Sequence, residues 1–346
     1  MDFRRSSKSA ERQVESPVMT DIRGRSGPLS PELLASTDVR AALALAAASM
    51  VLWWLCRFHA AALPAIAPWD FSFSWFFATT FPLWWYWRGL RATELAERPS
   101  RWRSAAFLIG MAAIYIVLQT RFEYLAEHMF FLNRLQHVVM HHLGPFFIAL
   151  AWPWPTILRG MPERVRRLAL APPVLRFLHI VRQPLLAAFL FVGLIALWLV
   201  PAIHFRAMID PRLYLVMNWS MVGDGVLFWS VVLDRRDRAR AGISFGMRAA
   251  LAIGVMFPQI LIGAIIALSR HDLYGFYAWC GRIYPGIGAL DDQAYGGLII
   301  WIPPAMMSVA SLLLVLDALR RAEEKAEKQR TPGGGARISA SSWTGR

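Results

Sequence analysis

Four of the eight histidines of this chain lie within fifteen residues, in the stretch between Glu127 and Pro145. Imidazole nitrogens bind metals or carry protons. Ionisable side chains beside apolar membrane segments usually have a functional role. The stretch therefore predicts a metal or proton site formed by some or all of its imidazoles, which are those of His128, His137, His141 and His142.

The spacing of His137 and His141 gives the sharpest prediction of a metal site. A step of four residues turns an α-helix by about 40°, so the two imidazoles share one helix face and can reach one ion. Met140 falls about 60° from His137, on the other side. Imidazole with a thioether suits copper, whereas zinc more often recruits thiolate or carboxylate. The pattern therefore favours copper.

The two flanking histidines depend on the local backbone. His142 points about 100° away from His141, so it either reaches a neighbouring helix or binds nothing. His128 would lie on the opposite face of an unbroken helix, and it can join the site only if the backbone bends before His137. Gly144–Pro145 is expected to kink the helix just beyond the histidines.

The composition predicts a multi-pass membrane protein. Hydrophobic residues make up 56% of the 346 residues, and only 17% are charged. The net charge of +14 is explained by arginines in cytoplasmic loops, so we expect no nucleic acid partner and a lipid bilayer as the surroundings. Cys56 and Cys280 have no metal-knuckle spacing and predict no disulfide framework.

The predicted fold is an all-α, polytopic bundle of about eight transmembrane helices, with seven as the alternative. A span needs roughly 20 apolar residues. The chain divides into a disordered basic cytoplasmic tail (1–40), the helix bundle (41–319) and a cytoplasmic C-terminal tail (320–346). The predicted spans are 41–63, 70–88, 103–120, 137–157, 183–203, 213–233, 246–268 and 296–319.

Arginine counts predict the orientation of the bundle. Arginines concentrate in the loops after the second, fourth and sixth spans and are sparse in the alternate loops. Both termini are therefore predicted to be cytoplasmic. On this topology seven of the eight histidines lie near the outer ends of spans, together with an outer layer of carboxylates: Asp70, Glu123, Glu127, Asp210, Asp272, Asp291 and Asp292.

Two acidic residues are separate candidates. Asp224, between two glycines inside the sixth span, is a charge at membrane depth, with either a proton role or a hydrogen-bonded packing role. Asp292 precedes Gly296–Gly297, a pair of small residues that is consistent with close helix packing near the outer surface. Asp292, like Asp224, would either carry a proton or take part in helix packing.

These motifs together resemble the CtaG family of cytochrome c oxidase assembly factors, over about residues 65–320. The resemblance is carried by the histidine stretch with Pro145 and by three further motifs: Trp69-Asp70-Phe71, Asp292-Gln293 with Gly296-Gly297, and Trp301-Ile302-Pro303. It implies a bacterial inner-membrane protein that brings copper to the CuB centre of the oxidase catalytic subunit.

On this resemblance the cargo would be copper(I) held at the periplasmic face. The expected ligands are His137, His141 and Met140, completed by His128 or His204. The chain departs from the family pattern at Leu199 and Asn218, where members commonly have histidine.

Three other functions are alternatives. A haem-binding redox protein would need axial histidines on facing helices, whereas most candidates here lie on one segment. A metal-free assembly scaffold would use none of them. An enzyme is disfavoured because the chain has no Walker A, Rossmann, HExxH or GxSxG pattern.

Overall fold

The computed structural model describes residues 31–234, 236 and 242–330, and this part of the chain is helical without any strand. Two 3-10 turns (Ala60–Ala62 and Leu95–Glu97) and one π turn (Val139–Leu143) accompany the α-helices. In chain order the α-helices are α1 (Pro31–Phe58), α2 (Phe73–Arg91), α3 (Arg101–Gln119), α4 (Phe122–His128), α5 (Phe130–Val138), α6 (Gly144–Ala151), α7 (Trp154–Gly160), α8 (Glu163–Ala169), α9 (Pro172–Val181), α10 (Pro184–Leu199), α11 (Pro201–Ile209), α12 (Pro211–Val232), α13 (Phe245–Gly254), α14 (Met256–Ala267), α15 (Phe276–Cys280) and α16 (Ala289–Arg330).

Prolines explain why the middle of the chain is divided into short helices. Pro172, Pro184, Pro201 and Pro211 each begin a helix. Proline has no N–H to give to a preceding turn, and it fits the first turn of a new helix. The predicted span 183–203 is therefore two helices that meet near Val200.

Five helical segments of the described residues are long and apolar enough to cross a membrane, which supports a multi-pass membrane bundle; one of them combines α13 and α14. A sixth is added if α9 and α10, which meet at 74°, form one bent span. The predicted number of eight is not confirmed by this criterion. The five spans are Val39–Phe58, Arg101–Gln119, Pro211–Val232, Phe245–Ala267 and Ala289–Glu327.

Two predicted spans, 70–88 and 137–157, differ from the expectation. The first is a 19-residue helix, α2, which is not among the five spans. Its aromatic and hydroxyl residues and Arg88 and Arg91 lower its hydropathy. The second is divided among α5, the π turn and α6, which follow one another as a continuous helical segment over residues 130–151. Trp152, with a left-handed φ of 53°, ends that segment.

The segment formed by α5, the π turn and α6 is the centre of the bundle. It packs against α3, α12 and α16, while α14 packs along α16. A π turn lies directly before Gly144–Pro145, where the sequence predicts a kink.

Helix α1 begins at Pro31, inside the predicted tail, and α16 continues to Arg330, inside the predicted C-terminal tail. The rest of both tails lies outside the described residues, so their predicted disorder stays a prediction.

Glycines allow the closest helix contacts, as the Gly296–Gly297 pair suggested. A Cβ atom added at Gly296 would lie 2.3 Å from the Phe130 ring, and one at Gly297 would lie 2.6 Å from the Gly263 carbonyl oxygen. Side chains larger than hydrogen would therefore separate α16 from α5 and α14.

The Asp292–Gln293 pair joins three helices by hydrogen bonds. The fully buried Asp292 carboxylate accepts from the backbone N–H groups of Phe130 (3.0 Å) and Phe131 (2.8 Å), so it caps α5 from another helix. The Gln293 amide donates to the Ile266 carbonyl (3.1 Å) near the end of α14. The geometry thus gives Asp292 a packing role at the start of α5.

We predict that Asp292→Ala destabilises the protein by roughly 1–3 kcal/mol, because it leaves two buried N–H groups without an acceptor. Thermal unfolding of the purified protein in detergent measures this. The neighbouring exposed Asp291→Ala is the matched control and should unfold like the wild type. Equal effects of both substitutions would contradict the capping role.

Candidate functional site

The π turn directs two consecutive imidazoles into the bundle. In this turn the Gly144 N–H donates to the carbonyl of Val139, five residues earlier, instead of four. The extra residue changes the helical register, and such insertions are frequent at functional sites. His141 and His142 are both buried as a result, with 0% and 3% of their surfaces exposed.

The two imidazoles belong to a continuous chain of hydrogen bonds that crosses the bundle. His141 Nε2 lies 3.1 Å from Asp224 Oδ2 on α12, and the Nδ1 atoms of His141 and His142 lie 3.1 Å apart. His142 Nε2 lies 2.8 Å from Gln259 Oε1 on α14. Of the two alternatives for His142, contact with a neighbouring helix or no partner, the structure shows the first.

The direction of donation along this chain follows from Gln259. Its amide nitrogen donates to the Val255 carbonyl at 3.0 Å, so its oxygen faces His142 and accepts. His142 therefore carries its proton on Nε2 and accepts at Nδ1, and His141 donates from Nδ1. His141 Nε2 is then left as an acceptor, and the shared proton must come from Asp224.

The chain of hydrogen bonds is thus electrically neutral as a unit. Either Asp224 is a neutral acid, or its proton has moved to His141 to form an ion pair. In both forms each histidine nitrogen of the chain has a partner, whereas Asp224 Oδ1 has none. Aromatic rings enclose the pair, with Phe191 stacked at 4.2 Å on His141.

A small cavity lies beside this chain. Its volume is about 20 Å³, which is room for at least one water-sized particle. Both ring nitrogens of His137, which is 5% exposed, have no hydrogen-bond partner. The cavity is lined by Arg134, His137, Val138, His141, His142, Ile195, Leu199, Met221, Gln259, Ile300 and Pro304.

The structure thus brings together three of the predicted ligands, His137, His141 and His142. All three are buried in the bundle, and Asp224 on α12 contacts His141 while Gln259 on α14 contacts His142. In the described part of the chain no group of three or more His, Cys, Asp or Glu residues is arranged to hold a metal ion.

Three other predicted ligands lie away from the cavity. His128 precedes the extended backbone at Met129, where the chain does bend, but its Nδ1 contacts the Tyr124 carbonyl at 2.8 Å. His204 Nε2 lies 3.0 Å from the Tyr277 hydroxyl. Met140 is packed in the apolar core, since the π turn follows a different register from the regular helix assumed for it.

Sequence reasoning missed Gln259, Arg134 and Met221 as residues of the cavity. Gln259 is the single polar residue in the apolar sequence of α14, and this alone could have indicated it. One position where family members commonly have histidine, Leu199, lines the cavity. At the other, Asn218 is 1% exposed, and neither amide atom has a partner.

Part of the predicted acidic layer is gathered near α4. Burial raises the pKa of Glu123 well above its ordinary value, and the charges of Glu127 and Asp70 raise it further. Burial is also the main cause that raises the pKa of Glu127. These carboxylates therefore hold protons more strongly than exposed ones do.

We predict that Asp224→Asn leaves stability close to that of the wild type, because the asparagine amide can donate to His141 Nε2 as the neutral acid does. Asp224→Ala should cost roughly 1–3 kcal/mol, because it leaves that buried nitrogen without a donor. Thermal unfolding in detergent compares the two. An asparagine variant as unstable as the alanine variant would instead indicate that Asp224 is a carboxylate paired with protonated His141.

Gly225 gives a second prediction, because α12 meets the π turn there. A Cβ atom at Gly225 would lie 2.2 Å from the His141 carbonyl oxygen, whereas one at Gly223 meets nothing within 4 Å. Gly225→Ala should destabilise the protein by roughly 1–3 kcal/mol through overpacking. Gly223→Ala is the control and should be neutral or slightly stabilising, because alanine favours helix. Similar melting temperatures for both variants would contradict the close contact.

Comparison with known proteins identifies the family of the chain. A sequence model described as cytochrome c oxidase caa3 assembly factor (Caa3_CtaG) matches residues 83–322. No curated protein and no solved structure matches the chain. The match covers more than half of the sequence and includes α3 to α15 with every residue that lines the cavity. The chain belongs to the CtaG family of cytochrome c oxidase assembly factors.

Proposed function

We propose that this assembly factor binds copper(I) in the cavity beside the π turn and delivers it to the CuB centre of the oxidase catalytic subunit. One observation carries the proposal: His137 is buried, lines the same cavity as His141 and His142, and has two ring nitrogens without partners. Buried polar atoms without partners are rare and call for an explanation. A metal ion as cargo supplies one.

The thioether ligand that we propose, Met221, differs from the one predicted from the sequence, Met140. Both methionines belong to the apolar core, but Met221 lines the cavity and Met140 does not. Imidazole and thioether are soft enough for copper(I). We therefore propose His137, His141 and Met221 as ligands. His142 is a neighbouring imidazole that can replace one of them.

The hydrogen bonds of His141 support a role as a carrier. His141 must give up its bond to Asp224 or to His142 to bind an ion, and it regains that bond when the ion leaves. Both the empty and the loaded state then satisfy the imidazole, so the net gain from binding is reduced. A site of moderate affinity can pass its ion to an acceptor.

The proposed setting is the bacterial inner membrane, with eight spans, both termini in the cytoplasm and the histidine site loaded from the periplasmic side. The alternation of arginine-rich loops supports this orientation. The continuous helical segment over 130–151 supports the predicted fourth span, because 22 residues of helix rise about 33 Å.

Haem binding and a metal-free scaffold remain the alternative functions. A cavity of about 20 Å³ is far smaller than a haem ring, and the three histidines beside it come from one helical segment. These features favour a single ion over haem. Metal analysis distinguishes the scaffold from the carrier.

The test is copper retention by the purified protein after loading with copper(I) under reductant and washing with a weak chelator. We expect about one copper per chain for the wild type, loss in His137→Ala/His141→Ala, and no change in the exposed His179→Ala. Met221→Leu should weaken retention, while Met140→Leu serves as the matched control.

The same variants can be tested in cells that lack the native protein. The wild type should restore oxidase copper content, and the double histidine variant should not. Equal copper in wild type and double variant would overturn the carrier proposal, and a Soret band in the purified protein would favour haem.

A further inference from the structure

Arg134 is a buried arginine for which the described residues offer no carboxylate. It lies on α5 with 2% of its surface exposed and lines the cavity. Its guanidinium donates to the Asn133 side-chain oxygen and lies near the uncharged Tyr277, while its Nε has no partner. Neither neighbour carries a negative charge. An uncompensated charge in the interior of a membrane bundle is costly.

Two buried carboxylates, those of Asp292 and Asp224, already have other partners. The Asp292 carboxylate, one helical turn before Gly296, accepts from two backbone N–H groups and lies 3.3 Å from Arg282. Asp224 shares its proton with His141 in a chain that is neutral as a whole. No acidic side chain lines the cavity. The guanidinium charge is therefore left without a negatively charged partner among the described residues.

We propose that the cavity binds one small monovalent anion, of the size of chloride, between Arg134 and His137. Two donors are available to it: the Nε–H of Arg134 and the single N–H of neutral His137, both buried and without a partner. A cavity volume of about 20 Å³ is enough for one small particle. A water molecule could satisfy the donors but would leave the charge uncompensated.

The anion site stands apart from the proposed copper delivery, because it depends on Arg134 and is present in the metal-free protein. The two proposals meet at His137. A bound anion would offset the positive charge of the guanidinium beside an incoming cuprous ion. Anion binding is therefore measured without copper, so that failure of one proposal is distinguishable from failure of the other.

The experiment is equilibrium dialysis of radioactive chloride against the purified, chelator-treated full chain, in a detergent buffer whose other anion is gluconate. We expect saturable binding of about one chloride per wild-type chain, displaced by bromide. Absence of saturable binding by the folded wild type overturns the proposal.

Variants locate the site. Arg134→Gln should weaken chloride binding by more than about tenfold, because it removes a charge-assisted donor. Arg134→Lys keeps the charge and should retain part of the binding. The exposed Arg206→Gln is the control and should bind like the wild type. Unchanged binding in a folded Arg134→Gln overturns the proposal. If that variant does not fold, His137→Phe, which removes the second donor, gives the same test.

Discussion

The structure depends on one constraint: polar side chains inside an apolar bundle must find partners within the protein, since lipid offers none. Asp224, His141, His142 and Gln259 meet this constraint as a linear chain across three elements. Each link determines the donor or acceptor role of the next. The chain therefore fixes how α12, the π turn and α14 are placed around the cavity.

The backbone provides the geometry that this chain of hydrogen bonds needs. The π turn presents two successive imidazoles to the interior, and Gly225 lets α12 approach the His141 carbonyl closely. At the other end of α5, the Asp292 carboxylate holds the first N–H groups of the helix. Helix α5 is thus fixed at its start by a cap and is followed directly by the π turn, and both elements contribute residues to the cavity.

Much of the fold class was predictable from apolar runs, because a membrane span requires a length of hydrophobic sequence that is easily counted. The number of spans was less predictable, since prolines such as Pro184 and Pro201 divide runs that look continuous. The family could also be predicted, from motifs whose reasons are now visible: Asp292 and Gln293 bond to backbone groups of other elements.

The candidate site was predictable in its centre and not at its edges. His137, His141 and His142 were found because they are close in sequence. Met140 was assigned to the site on the assumption of a regular helix, which the π turn breaks. Met221 and Gln259 come from other helices, so no local spacing could indicate them. Their proximity to the histidines is a property of the packed bundle alone.

The length of α16 has a consequence of its own. Its 42 residues rise about 63 Å, roughly twice the thickness of the hydrocarbon layer. One end of this helix holds the Asp292 cap of α5, and the far end carries the ion pairs of Arg320 and Arg321 with Asp317. A single element therefore links the region of the cavity to a group of exposed charged side chains, so that a force applied to those side chains would act directly on the start of α5.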